Sequence, residues 1–150
     1  MAKRIFVDAD SCARPAKSFI LRTAEHHRIA VFFVANRAVP AKTENPLFVM
    51  HVCGSTKDAA DNFIVEKSEE NDIAVTRDLI LAQRLLEKNT AVLNDKGVIF
   101  TKENMQDFLN ERELSLQMKA LGVATGESWH SYGKKDISAF SKSLSALLGI

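Results

Sequence analysis

Short, unbroken apolar runs alternate with helix-length amphipathic segments along this chain, and that alternation limits what it can fold into. Ile5-Phe6-Val7 stops at Asp8-Ala9-Asp10, and segments 29–35, 47–53, 72–76 and 91–93 repeat the pattern. A strand with one wet face would alternate apolar and polar residues; a continuous run reads as a parallel strand buried on both faces. After the first run, Ala16, Phe19, Ile20, Ala24 and His27 recur at helical spacing. Pro15 fits the first turn of that helix, where its missing N–H has no bond to lose. Further helices are expected over 58–70, with Asp58 as N-cap, over 79–88, and over 101–121, opened by Thr101 and closed by Gly122. Asn94-Asp95-Lys96-Gly97 is a turn that sends 98–100 back antiparallel at the sheet edge. Segments 36–46, which holds Pro40 and Pro46, and 123–135 read as loops. A last helix starts at Asp136, with Ile137, Phe140, Leu144 and Leu147 as its apolar stripe. The fold expected is α/β: three α/β/α layers around a mainly parallel sheet with an antiparallel edge strand. With 150 residues and no internal repeat, one domain spanning 1–150 accounts for the whole chain.

Composition excludes more than it selects. A net charge of +1 gives no overall pull toward nucleic acid or membrane, so a polyanionic substrate would need a local basic patch. No apolar stretch approaches the roughly 20 residues that span a bilayer, and Met1-Ala2-Lys3-Arg4 leads straight into a strand without a cleavable signal pattern. Cys12 and Cys53 imply no disulfide framework. A cytoplasmic protein with reduced thiols, and no membrane partner, is the expectation.

The candidate chemistry is acidic. Asp8 and Asp10 close the first apolar run, Asp58 and Asp61 open a helix, and Asp78 follows the fourth run in Thr76-Arg77-Asp78. Carboxyl ends of parallel strands are where open α/β folds place their ligands. Two residues apart on a strand, Asp8 and Asp10 would share a face; three apart on a helix, Asp58 and Asp61 would too. Any one of these residues alone is more often a helix cap than a ligand. Together they crowd negative charge, and a hard divalent cation relieves that crowding without protonation. Asp8, Asp10, Asp58, Asp61 and Asp78 are therefore the expected metal ligands, with Thr76 orienting a carboxylate behind them. Ser11 stands in the same turn and is either a helix cap or a further supporting hydroxyl. The histidines lack partners at zinc spacing, and Cys12 reads as an inert buried thiol.

Asp61-Asn62-Phe63-Ile64-Val65, followed by Ala74-Val75-Thr76-Arg77-Asp78 and Leu81-Ala82, resembles the later half of a PIN-domain nuclease motif. More closely, the chain resembles the bacterial YaiI/YqxD family, which is assigned a PIN-like fold. The matching blocks are Val7-Asp8-Ala9-Asp10 with Cys12, Val34-Ala35-Asn36, Asp58-Ala59-Ala60-Asp61-Asn62, Thr76 with Asp78, Leu93-Asn94 with Gly97, and Thr125-Gly126. Two residues separate Cys12 from Pro15 where the family sets proline directly after cysteine, and Gly126-Glu127 stands for a glycine pair. The resemblance implies a nuclease: Mg²⁺ or Mn²⁺ held by the catalytic carboxylates Asp8, Asp10, Asp61 and Asp78, acting on nucleic acid, RNA in the first instance. It leaves a homo-oligomer open.

Arg14, Lys57 and Arg77, which flank the acidic motifs, are expected substrate contacts together with Lys17, Asn36 and Arg37. Two other function classes share parts of the pattern. Apolar-strand-Asp-x-Asp also opens haloacid-dehalogenase-type phosphatases, with Asp8 as nucleophile and Asp10 as general acid. A non-catalytic module is the other: receiver-like, with Asp58 as phosphoacceptor, or an RNA binder that does not cut.

Overall fold

The computed structural model describes residues 3–36, 46–54, 58–123 and 131–150. Its six strands form one sheet: β1 (Arg4–Asp8), β2 (Ala30–Ala35), β3 (Phe48–Val52), β4 (Ile73–Val75), β5 (Ala91–Leu93) and β6 (Ile99–Phe100). The spatial order is β3-β2-β1-β4-β5-β6. The first five strands pair parallel, and β6 returns antiparallel on β5. The chain thus winds outward from β1 to β3, then restarts on the other side of β1 with β4. The crevice between β1 and β4 is the switch point of the sheet, the place where such folds bind ligands.

Strand periodicity divides the core into two layers. Ile5, Val7, Val31, Phe33, Ile73, Val75 and Leu93 face one side, where α1 (Arg14–His27) adds Ala16, Ile20 and Ala24, and α5 (Lys134–Leu148) adds Phe140 and Leu144. Phe6, Val34, Ala74 and Val92 face the other, against α2 (Ala59–Lys67), α3 (Leu79–Glu87) and the start of α4 (Lys102–Ala120). The result is the three-layer α/β/α arrangement, with both faces of the parallel strands dry. Asp8 has the parity of Phe6 and Thr76 that of Ala74, so both turn toward the α2–α3 layer. The amino edge is closed differently: buried Asp72 accepts from Nε and Nη2 of Arg4, which lies over the rings of Phe6 and Phe32. Among the described residues no helix is long and apolar enough to cross a membrane.

Several expectations change at their ends. The first strand stops at Asp8, and Ala9–Ser11 forms a 3-10 turn, so alternation does not carry from Asp8 to Asp10. His27 is exposed at the end of α1, because Arg28 closes the helix in a left-handed conformation, φ 56°. α2 ends at Lys67 instead of reaching residue 70, and Lys88 from the end of α3 donates to the carbonyls of Val65 and Ser68. α5 begins at Lys134, two residues before Asp136, whose carboxylate accepts from the Gly133 N–H at 2.9 Å. The loops expected over 36–46 and 123–135 lie mostly outside the described residues, as do Arg37 and Lys57.

Candidate functional site

Asp8 ends β1 only 6% exposed. Such burial penalises the charged carboxylate and pushes its pKa up, while two hydroxyl donors oppose that shift. Thr76 Oγ1 donates to Asp8 Oδ2 at 2.8 Å, and Ser11 Oγ donates to the same oxygen at 2.9 Å. Each hydroxyl also accepts a backbone N–H: Thr76 from Asp78 at 3.0 Å, Ser11 from Arg77 at 3.2 Å. Two hydroxyl bridges therefore stitch β1 to the segment after β4 across the switch crevice. They fix one oxygen of Asp8, and no donor among the described residues meets Oδ1.

Asp78 is the N-cap of α3, with Oδ1 accepting from the Ile80 and Leu81 N–H groups at 2.9 and 3.1 Å. The cap reading and the site reading thus hold together, because capping occupies one carboxylate oxygen and leaves the other. Asp61 stands in the first turn of α2, half-buried. Its pKa rises to about 6, from burial first and then from the negative charge of Asp78, Asp8 and Asp58; Arg84 on α3 opposes this. Asp8 in turn feels Asp10 and Asp78. The carboxylates gathered from β1, the 3-10 turn, α2 and α3 share one electrostatic neighbourhood.

Two of the five expected metal ligands sit differently from expectation. Asp10, exposed on the 3-10 turn, accepts from the backbone N–H of Asn36 at 3.1 Å instead of lying beside Asp8 on a strand face. Asp58 occupies the N-cap position of α2 but makes no side-chain cap. The capping acceptor comes from the end of β2: Asn36 Oδ1 accepts from the Ala60 N–H at 3.0 Å. Asn36, expected to touch substrate, is thus engaged in tying β2, the 3-10 turn and α2 together.

Arg77, also expected at substrate, has an internal partner. Its Nε and Nη2 donate to the two carboxylate oxygens of Asp95 at 2.8 and 2.7 Å. Asp95 is fully buried, accepts the Ala13 N–H at 2.8 Å, and receives the Tyr132 hydroxyl on its backbone carbonyl at 2.5 Å. This bidentate pair holds the start of α1, the end of β4 and the β5–β6 turn in one frame. Sequence reasoning assigned Asp95 to a turn. The available signal was its place two residues beyond the apolar run 91–93, the strand-end setting that singled out Asp8. Arg14 is exposed at the first residue of α1 and Lys17 half-buried one turn on. Burial and the nearby Asp95 push the Cys12 thiol up to about 12, so it stays protonated and unreactive.

Among the described residues no three or more His, Cys, Asp or Glu side chains stand close enough together to hold a metal ion. The donor set is nevertheless chemically suited to Mg²⁺ or Mn²⁺: it consists of hard carboxylate oxygens whose mutual repulsion a cation relieves. Mg²⁺ retains several waters and needs only one or two direct carboxylates, so its chemistry does not require three converging side chains.

Residues 6–149 match the family described as "Uncharacterized BCR, YaiI/YqxD family". The chain belongs to the YaiI/YqxD family. Within this family, it is similar to a UPF0178 protein of Treponema denticola, 39% identical over 97% of this chain and 91% of that protein. It is also similar to one of Psychrobacter cryohalolentis, 37% identical over 97% of this chain and 99% of the other. The UPF0178 relative in Vibrio cholerae is 35% identical over 82% of each. No solved structure matches.

Proposed function

We propose that this YaiI/YqxD chain is a metal-dependent nuclease that hydrolyses phosphodiester bonds of RNA in the cytoplasm. One observation carries the reading: Asp8, fixed by Thr76 and Ser11 at the end of β1, and Asp61 at the start of α2 both lie near enough to Asp78 that its negative charge opposes their ionisation. An acidic helix residue followed by a strand leading into Thr76-x-Asp78 also supports kinship with PIN-like nucleases. Asp8, Asp10, Asp61 and Asp78 would hold Mg²⁺ or Mn²⁺, with Asp58 as an outer carboxylate. Such an ion, when bound, supplies Lewis acidity and a water of lowered pKa.

The remaining work falls to the protein's own groups. Thr76 and Ser11 hold Asp8 in one orientation, so little reorganisation accompanies ligand binding. The Asp78 carboxylate is fixed by the first N–H groups of α3, and Asn36 anchors Asp10. Arg14 and Lys17, on the first turn of α1, provide cations for phosphates flanking the scissile one, as would Arg37 and Lys57. Arg77 contributes by bracing Asp95.

The test is calorimetric titration of Mn²⁺ into wild type and Asp8→Asn, followed by incubation of both with single-stranded RNA. Metal binding and cleavage should both be lost in the variant. Cleavage that persists in Asp8→Asn, or wild type that binds Mn²⁺ without cutting RNA, would overturn the proposal.

A further inference from the structure

α4 runs for 19 residues, yet Met105 is its single buried residue. Its first turns pack on α3 and β6 through Met105, Phe108 and Leu109. Beyond these, an isolated helix of this length would normally keep an apolar stripe against the core. Here Arg112, Ser115, Leu116 and Lys119, spaced i, i+3, i+4 and i+7, present one face to an open groove of about 690 Å³. Ser11, Arg77 and Asp78 line the same groove, so it borders the acidic site at Asp78.

The chemistry of the groove selects its occupant. Arg112 and Lys119 are exposed, and seven residues of helix separate them by about 10 Å along the axis. Glu111 lines the groove too, so α4 brings two cations and one anion to it and keeps a net positive charge beside Asp78. Leu116 adds apolar surface between the cations, and Phe108, edge-on to Phe100 at 5.3 Å between ring centroids, adds an aromatic ring one turn before Arg112. Cations that track a backbone, with aromatic and apolar surface beside them for bases, are the ingredients of single-strand recognition. We infer that the Arg112–Lys119 face of α4 is the track for a single-stranded nucleic acid, carrying the phosphates that flank the one held at the acidic site. The inference rests on the nuclease reading for where the scissile phosphate lies. It adds the substrate class, single-stranded rather than duplex, and the direction in which the strand leaves.

Binding can be judged without turnover. A short fluorescein-labelled oligouridylate is titrated, in chelator and at several salt concentrations, against the full chain and Arg112→Glu/Lys119→Glu. The variant should bind about tenfold more weakly or worse, with the slope of log affinity on log salt reduced by about 1.4, the equivalent of two single-strand phosphate contacts. Arg112→Ala and Lys119→Ala should each remove about half of that slope. With Mn²⁺, hydrolysis of the small diester bis(p-nitrophenyl) phosphate should be the same in wild type and double variant, because that probe is too short to reach α4. Unchanged oligouridylate affinity and slope would overturn the track while leaving the nuclease reading intact. So would a double variant that melts like wild type but loses diester hydrolysis along with binding, because the change would then act at the acidic site. Wild type that hydrolyses nothing defeats the nuclease reading, whereas the binding slopes still decide the track.

Discussion

Asp61 stands on the first turn of α2 among Asp78, Asp8 and Asp58, with Arg84 the cation that faces it, and its pKa sits near 6 against an ordinary value of 3.8. A carboxyl whose folded pKa is raised binds its proton more tightly in the native state. Its charge therefore costs native stability as pH climbs from about 4 through about 6, and the cost is complete above that. Asp61→Asn removes the cost. In chelator the variant should be more stable than wild type above pH 6, by about 1 kcal/mol once solvent screening of a half-exposed group is allowed for. The difference should vanish below about pH 4. Urea midpoints across that range measure it, and a wild type that stays the more stable at neutral pH would mean a cation already balances Asp61. At this scale the acidic residues were legible because each follows an apolar run or opens a helix. Asp10 misled, because a 3-10 turn ends the alternation that would have aligned it with Asp8. The bracing roles of Asn36 and Asp95 were hidden for another reason: their partners, Ala60 and Arg77, are remote in sequence.

Among the elements, α5 shows how a turn and a helix can depend on one atom's absence. Gly97 has φ +87°, and a Cβ there would lie 2.5 Å from the carbonyl carbon of Ala139 and 2.8 Å from the Phe140 nitrogen. Those are backbone atoms of α5, which cannot swing aside as a side-chain tip can. The helix is drawn to this spot by the burial of Phe140 and Leu144 and by Ser143 Oγ, which donates to the Gly97 carbonyl at 2.6 Å. Gly97→Ala combines an unfavourable left-handed conformation with a collision, and should destabilise by about 3 kcal/mol or more. For a chain of this length that is a fall in melting temperature of roughly 6–12 °C. Thermal unfolding followed by circular dichroism checks it, and a loss within about 1 kcal/mol would show that α5 shifts freely over the turn. The sequence marked Gly97 as a turn residue, and the apolar spacing from Ile137 to Leu147 marked the buried face of α5. That the two meet is a property of packing, which local periodicity does not encode.

At the scale of the molecule, the order β3-β2-β1-β4-β5-β6 is what creates a site at all. The continuous apolar runs of β1, β2 and β4 announce parallel strands buried on both faces, but such runs are interchangeable as neighbours, so their order could not be read from them. Once β1 and β4 adjoin, Asp8, Asp61 and Asp78 converge from three separate stretches of chain, held by Thr76 bridging Asp8 to Asp78. The unfolded chain has no such convergence. A divalent cation that needs all three carboxylates therefore binds the native state alone, and its binding energy becomes folding energy. At a concentration about a hundred times its dissociation constant the gain is about 2.7 kcal/mol, or roughly 5–10 °C in melting temperature for a protein of this size. Protons compete for the same oxygens, and with Asp61 near pKa 6 the competition is felt just below neutrality. The Mn²⁺-induced rise should thus be large at about pH 7.5 and shrink markedly at about pH 5. It should be abolished at both by Asp8→Asn, while Thr76→Val, which keeps every carboxylate but leaves Asp8 held by the Ser11 hydroxyl alone, should reduce it without removing it. A rise of equal size in wild type and Asp8→Asn would mean that the metal binds elsewhere, and the switch crevice would then owe its crowded carboxylates to helix capping and strand bridging alone.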